Sequence, residues 1–394
     1  MNRLQAIMRK KRNRSLLISK ISLWLIFFTL SIFIGNDQGR CNELSANHLP
    51  ILPDCPCFTA SQDDIRSLPI VLSLKQELRA RRLIQNAIIV TTHDHCFHSA
   101  DFKNQKVSGI TARVIAVTTD GLYWRRGARH DISHLFVEWF QYGRNVIRSI
   151  DDKIVENYGS LIIARKTSDL IQANREGKQA VILAFEGTRP LQGQIENLIK
   201  FHQMGLRVLQ LYWSVPNQVI TQDGYISSFA REVIRNAERL GIVIDLTHLP
   251  DRAFWPTLEV ITLPPIVSHT AVAALGGGGD PLSDERILAL AKKGGVIGLH
   301  FSGGYIKAQH GRLSYRDLVD HIDYIKKLVG INYIALGPDW FPERNIGDYV
   351  TSPFNKEGLY NIIGEMIRRD YSDDEIKNIL GLNLIRLFGN VWKN

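Results

Sequence analysis

From residue 86 onward the chain alternates two hydrophobic patterns. Short, nearly continuous apolar runs rich in β-branched residues fall at Ala87–Thr92, Ile110–Val117, Ala180–Phe185, Val208–Tyr212, Ile242–Leu246, Pro265–Ser268, Val296–Phe301 and Tyr333–Leu336. Such runs, apolar without alternation, predict parallel strands covered on both faces. Between them, apolar positions recur at helical spacing in Leu191–Met204, Ser227–Leu240, Asp284–Lys293 and Tyr315–Val329. The 284–293 segment opens with acidic residues and closes with lysines, matching the helix dipole, and the 227–240 segment stops at Gly241. Eight strand-then-helix units predict an α/β fold, a (β/α)8 barrel of the TIM type. A doubly wound open sheet competes, but the glycine-rich phosphate loop such sheets often carry after the first strand is missing from the sequence.

The N-terminus follows a different pattern. Seven basic and no acidic residues occupy the first twenty positions, followed by the uncharged, apolar Ile21–Gly35. A basic run before a hydrophobic segment of this length predicts a signal or membrane anchor, with the downstream chain membrane-anchored or exported and the barrel outside the cytoplasm. No small-x-small cleavage site is evident, which favours an uncleaved anchor. The expected division is residues 1–35 as basic run plus anchor, 36–75 as a linker containing Pro50, Pro53 and Pro56, and 76–394 as the barrel. The formal charge of the 394 residues is +9, from 48 basic and 39 acidic residues. Setting aside the first twenty positions leaves 41 basic against 39 acidic residues, so the body is nearly neutral and a nucleic-acid-binding reading loses its support. Of the four cysteines, Cys55 and Cys57 stand too close for an easy bridge to each other. Pairing of Cys41 with either is open, and Cys96 is expected to pack.

Candidate chemistry stands where the strands end. In such barrels the C-terminal strand ends carry the active site. Here the ends read Thr92-His93-Asp94-His95, Phe185-Glu186-Gly187, Asp245-Leu246-Thr247-His248, Ser268-His269 and Gly337-Pro338-Asp339, with His300 on the seventh strand. Imidazoles and carboxylates are zinc ligands, and their burial after apolar runs is costly unless something satisfies them. His93 and His95, two apart on an extended chain, point the same way and can grip one ion. His300 is ambiguous, either a support behind the site or simply the end of its strand, with the latter favoured. His98, His130, His134, His202, His310 and His321, in loops or on helices, are read as ordinary hydrogen-bonded residues.

Taken together, Ala184-Phe-Glu-Gly187, Gly241-Ile-Val-Ile-Asp-Leu-Thr-His248, Pro265-Ile-Val-Ser-His269, Asp320-His-Ile-Asp-Tyr324, Gly337-Pro-Asp339 and the segment from Tyr371 to Asn383 make the chain resemble the membrane (renal-type) dipeptidases over roughly residues 75–390. These are zinc metallopeptidases of the amidohydrolase-like barrel superfamily. The resemblance implies two zinc ions bridged by Glu186, with His248 and His269 on one and His93 and the residue two further on, His95, on the other. It implies Asp339 as the acid/base residue, and cleavage of a dipeptide-like amide bond by a hydroxide held between the metals. Mixed imidazole and carboxylate ligands suit zinc, with manganese, iron and cobalt as alternatives.

Three positions depart from the family pattern. His95 stands where the family has Asp, leaving the site more positive. Trp213 stands where the family has a substrate-binding His, and is the expected substrate contact. The run Leu275-Gly-Gly-Gly-Gly-Asp280 replaces a segment bearing an arginine that grips the substrate carboxylate, with Arg189 or Arg207 as candidates to compensate and the glycines as a mobile loop or lid. The expected partners are a small peptide or amide substrate, the membrane through the N-terminal segment and a second copy in a homodimer. The rival readings are another amide or ester hydrolase of the same superfamily, and a membrane-anchored binding module with a degenerate site.

Overall fold

The structure, a computed structural model, describes residues 70–393 apart from 96–108, 121, 126–127, 132–137, 214, 310–311, 341–348 and 351–355. The segment Ile21–Gly35, all four cysteines, His98, His134 and His310 lie outside the described residues. Among those described, no helix is long and apolar enough to cross a membrane.

Along the chain the strands are β1 (Val90–Asp94), β2 (Ala112–Thr118), β3 (Leu122–Arg125), β4 (Ala128–Asp131), β5 (Leu161–Ile163), β6 (Gln179–Glu186), β7 (Leu206–Gln210), β8 (Val243–Asp245), β9 (Ile266–Thr270), β10 (Val296–Leu299) and β11 (Ile334–Leu336). Interleaved with them are helices α1 (Leu74–Asn86), α2 (Trp139–Glu156), α3 (Thr167–Glu176), α4 (Ile195–Gln203), α5 (Ser228–Leu240), α6 (Asp251–Val260), α7 (Asp284–Lys292), α8 (Tyr315–Val329), α9 (Lys356–Arg368), α10 (Asp373–Lys377) and α11 (Asn383–Val391). Eight parallel strands close into a barrel in the order β1-β2-β6-β7-β8-β9-β10-β11, the ring sealed by Thr91 of β1 against Leu336 of β11. All eight apolar runs become barrel strands, and the four expected helices appear with shifts only at their ends.

The additions sit between β2 and β6. β3 and β4 form an antiparallel hairpin. β5 pairs with Gln179–Val181 of β6, below the point where β7 takes over that edge at Leu183, so it widens the wall without entering the ring. α2 has no side-chain cap at its start, which removes one of the terminus signals on which helix reading depends.

Two apolar clusters explain the unbroken hydrophobic runs. Ala112, Val114 and Ala116 of β2 and Ala180, Ile182 and Ala184 of β6 belong to one, while Ile115, Val117, Leu183 and Phe185 belong to the other. Alternate residues thus face the barrel axis and the surrounding helices, and both directions are dry. The axial cluster is closed by Leu384, Leu387, Phe388 and Val391 of α11. α11 lies under the strand starts, where a Cβ at Gly241, just before β8, would press on the Val391 carbonyl. With the lower end plugged, the upper ends are left for chemistry.

Candidate metal centre

β1 is irregular where the site begins. Thr91 pairs with Arg113 but Asp94 pairs with Ile115, so three steps on β1 oppose two on β2. This bulge lets both Thr92 and His93 face the axis, a use of bulges common beside active sites. Asp94 is carried outward into a buried ion pair with Arg113, whose Nε lies 2.7 Å away. The first strand end thus offers His93 and His95 to the site.

Four imidazoles meet through the same atom. His93 Nε2 lies 3.1 Å from His95 Nε2, and His269 Nε2 lies 2.9 Å from His248 Nε2. Glu186 sits between the pairs: Oε1 is 3.7 Å from His93 Nε2 and 3.9 Å from His248 Nε2, and Oε2 is 3.6 Å from His95 Nε2. The other ring nitrogens point outward. His95 Nδ1 meets the Ala116 carbonyl at 3.1 Å, His248 Nδ1 meets Asp280 Oδ2 at 2.8 Å, and His93 and His269 Nδ1 meet Ser268 Oγ at 3.2 and 3.0 Å. A carbonyl or a carboxylate can only accept, so in the neutral rings of His95 and His248 the proton sits on Nδ1 and the Nε2 lone pair faces inward. Opposed lone pairs at 3 Å repel, and a shared cation relieves them. The donor set therefore fits metal, with His93, His95 and Glu186 as one grouping and Glu186, His248 and His269 as another, ligand atoms within 4.8 Å of one another.

His300 has the opposite tautomer and is no strand-end bystander. Its Nδ1 accepts from the Ser302 N–H at 2.9 Å, so its proton is on Nε2, which donates to Asp339 Oδ2 at 2.9 Å. Of the two readings the sequence left open, this overturns the favoured one, in which the ring merely ended its strand. The in-facing register of β10 runs through Gly298 to position 300, a signal the sequence did carry. Asp339 is thereby held with Oδ1 turned to His95 Nε2, 3.2 Å away. A third grouping, His93, His269 and Asp339, also lies within ligand reach.

Burial sets the protonation, modified by the neighbours. It drives His93 and His269 well below the usual imidazole range, aided by His95 and His93 respectively. Burial pulls His95 and His248 down too, but the hydrogen bonds to Asp339 and Asp280 and the charge of Glu186 outweigh it and leave both raised. Burial raises Glu186, opposed by His95 and His248. For Asp339 burial is overcome by His269 and His300, which hold the carboxyl well below its ordinary value. His248 and Asp339 also occupy left-handed backbone, φ 66° and 47°, a conformation non-glycine residues adopt at a cost and often at functional sites.

Trp213 follows β7, half-buried, its N–H donating to Asp120 Oδ2 at 2.9 Å. Arg189 and Arg207 are no substitutes for a carboxylate-gripping arginine, because their guanidinium groups donate to backbone carbonyls: Arg189 to Asp120 and Pro216, Arg207 to Arg165, His202 and Leu206. Three of the four glycines, Gly277–Gly279, are close-packed against neighbouring chain, and Gly276 is exposed. A Cβ on Gly278 would strike the Gly304 carbonyl, and one on Gly279 the Tyr305 ring. Their tight path delivers Asp280, 56% exposed at the rim, to His248. His202 lies on α4, His130 on β4 and His321 inside α8, outside the cluster. Sequence reasoning also missed Asp120, a fully buried carboxylate that accepts from the N–H groups of Thr188 and Trp213 and from Asn217 Nδ2. Burial pushes it up to about 7 despite those donors.

The sequence profile of membrane dipeptidases (peptidase family M19) matches residues 81–394. The chain is similar to dipeptidase tcpJ of Claviceps purpurea, 25% identical over 63% of this chain and 60% of that one. It is 28% identical to human dipeptidase 3 over 56% of this chain and 46% of that protein, so it spans less than two thirds of either relative. A solved metallopeptidase from Rhodobacter sphaeroides, liganded with a phosphinate mimic of the dipeptide L-Ala-D-Ala, shares the fold at TM-score 0.65 and 16% identity, covering 78% of this chain and all of that one.

Proposed function

The chain belongs to the membrane dipeptidase family, and from that premise we propose that it hydrolyses the amide bond of dipeptide-like substrates with two zinc ions. The observation that carries the reading is the convergence of four Nε2 atoms on Glu186 with every Nδ1 turned outward. His93 and His95 would hold one ion, His248 and His269 the other, with Glu186 between them. Bound there, the ions would lower the pKa of water towards about 7 and polarise the scissile carbonyl.

The chain's own residues supply the rest. Asp339 Oδ1 takes the proton of the attacking water and returns it to the departing amine nitrogen, a role worth about 10²–10⁴ in rate. His300 keeps that carboxylate aimed by holding its other oxygen. Trp213 would line the substrate side with an apolar face. The basic run ahead of Ile21–Gly35 supports attachment to a membrane, with the barrel outside the cytoplasm.

A second reading within the same chemistry, hydrolysis of another amide or ester, is favoured by the rim. Arg189 and Arg207 are both engaged with carbonyls, and the carboxylate of Asp280 stands in the segment where an arginine was expected. Metal quantitation on protein lacking residues 1–40, followed by a panel of L-L, L-D and N-acyl substrates, decides. Two equivalents of zinc and turnover of free dipeptides support the proposal, turnover of N-acyl or ester substrates alone supports the second reading, and absence of stoichiometric metal defeats both.

A further inference from the structure

We propose that Ser268 is a shared positioning residue, a single hydroxyl that orients one ligand of each metal ion and ties both to the buried carboxylate of Asp245. The inference rests on the metal-binding reading above. Ser268 Oγ lies 3.2 Å from His93 Nδ1, 3.0 Å from His269 Nδ1 and 3.2 Å from Thr247 Oγ1. Thr247 Oγ1 in turn lies 2.6 Å from Asp245 Oδ1.

Only one placement of protons satisfies the whole chain with metal bound. The Asp245 carboxylate accepts, so the Thr247 hydroxyl gives it its proton. The Thr247 oxygen then accepts, so the Ser268 hydroxyl proton points to Thr247. Ser268 Oγ is left with two acceptor sites, filled by the Nδ1–H groups of His93 and His269, and both Nε2 lone pairs face the ions. The wire fixes the tautomer of two ligands at once and lends them the basicity of a distant carboxylate, as second-layer partners of metal-bound histidines do.

The surroundings hold Ser268 rigidly for this task. Its N–H donates to Asp245 Oδ1 at 3.1 Å and to Thr247 Oγ1 at 2.8 Å, and its carbonyl accepts from Thr92 Oγ1. Gly298 on the neighbouring β10 and Gly337 just after β11 leave room for it, since a Cβ at either would collide with the Ser268 carbonyl. Ser268, Asp245 and Thr247 are all buried, so water offers no substitute partner.

Because the proposed assignment gives His93 to one ion and His269 to the other, the proposal predicts a signature that a local packing role would not produce. Ser268→Ala should weaken both ions, about 10- to 100-fold each, measured by zinc competition against a chromophoric chelator. Asp280→Ala, which touches His248 alone, should weaken one. Thr247→Val breaks the wire while leaving the Ser268 N–H on Asp245, and should shift both ions in the same direction by less. If Ser268→Ala fails to fold, the joint shift of both ions in Thr247→Val, set against the single shift in Asp280→Ala, still decides. Wild-type affinity for both ions in the folded variants, or loss confined to one, overturns the shared role while leaving the enzyme proposal standing. A wild type that binds no zinc defeats the enzyme proposal instead.

Discussion

Replacing Asp339 by Asn tests the proposed chemistry most directly, and the backbone says why Asn is the right substitution. Position 339 sits at φ 47°, where an alanine costs about 1–2 kcal/mol and asparagine is tolerated. Asn also keeps an oxygen that can accept from His300 Nε2, 2.9 Å away, so the side chain stays aimed. What disappears is the ability to take and return a proton. Loss of general acid–base help is expected to lower kcat about 10²–10⁴-fold, roughly 2.7–5.4 kcal/mol in the barrier. The assay is steady-state hydrolysis by zinc-loaded protein, with metal content measured on the same samples. Bound metal should be unchanged, because Glu186 and the four histidines are untouched. Wild-type turnover in Asp339→Asn would refute the acid/base role. Loss of metal would instead mark Asp339 as a ligand, as its grouping with His93 and His269 allows.

Two further predictions concern stability. His321 is buried in α8, its Nδ1 accepting from the Val272 N–H, and burial lowers it to about 4. The fold therefore holds it neutral, and stability present above about 6.5 is lost as pH falls towards 4, by about 2 kcal/mol at pH 5. His321→Gln, which can still accept from Val272, should flatten that acid limb in urea midpoints at pH 7 and pH 5; an equal drop in both proteins would discount His321. Asp120→Asn sets an amide NH₂ against a donor whichever way it turns, Thr188 on one side or Trp213 and Asn217 on the other, and should cost about 1–3 kcal/mol. A melting temperature unchanged in thermal denaturation would show those hydrogen bonds to be dispensable.

The barrel was legible in the sequence because its cause is local. Strands covered on both faces must be apolar at every position, helices must be apolar every three or four, and both periods can be read within a dozen residues. The same logic placed His93, His95, Glu186, His248, His269 and Asp339 at strand ends, since polar residues closing an apolar run stand out. What the sequence withheld depends on distance and angle between segments far apart. His300 and Asp339 are 39 positions apart, His248 and Asp280 are 32, and no period links either pair. The glycines at 276–279 read as slack, yet neighbouring chain presses on Gly278 and Gly279 from outside their own segment. Tautomers, likewise, are decided by which acceptor each Nδ1 meets, and only the closed ring of strands brings the Ala116 carbonyl, Ser268 and Asp280 to those nitrogens.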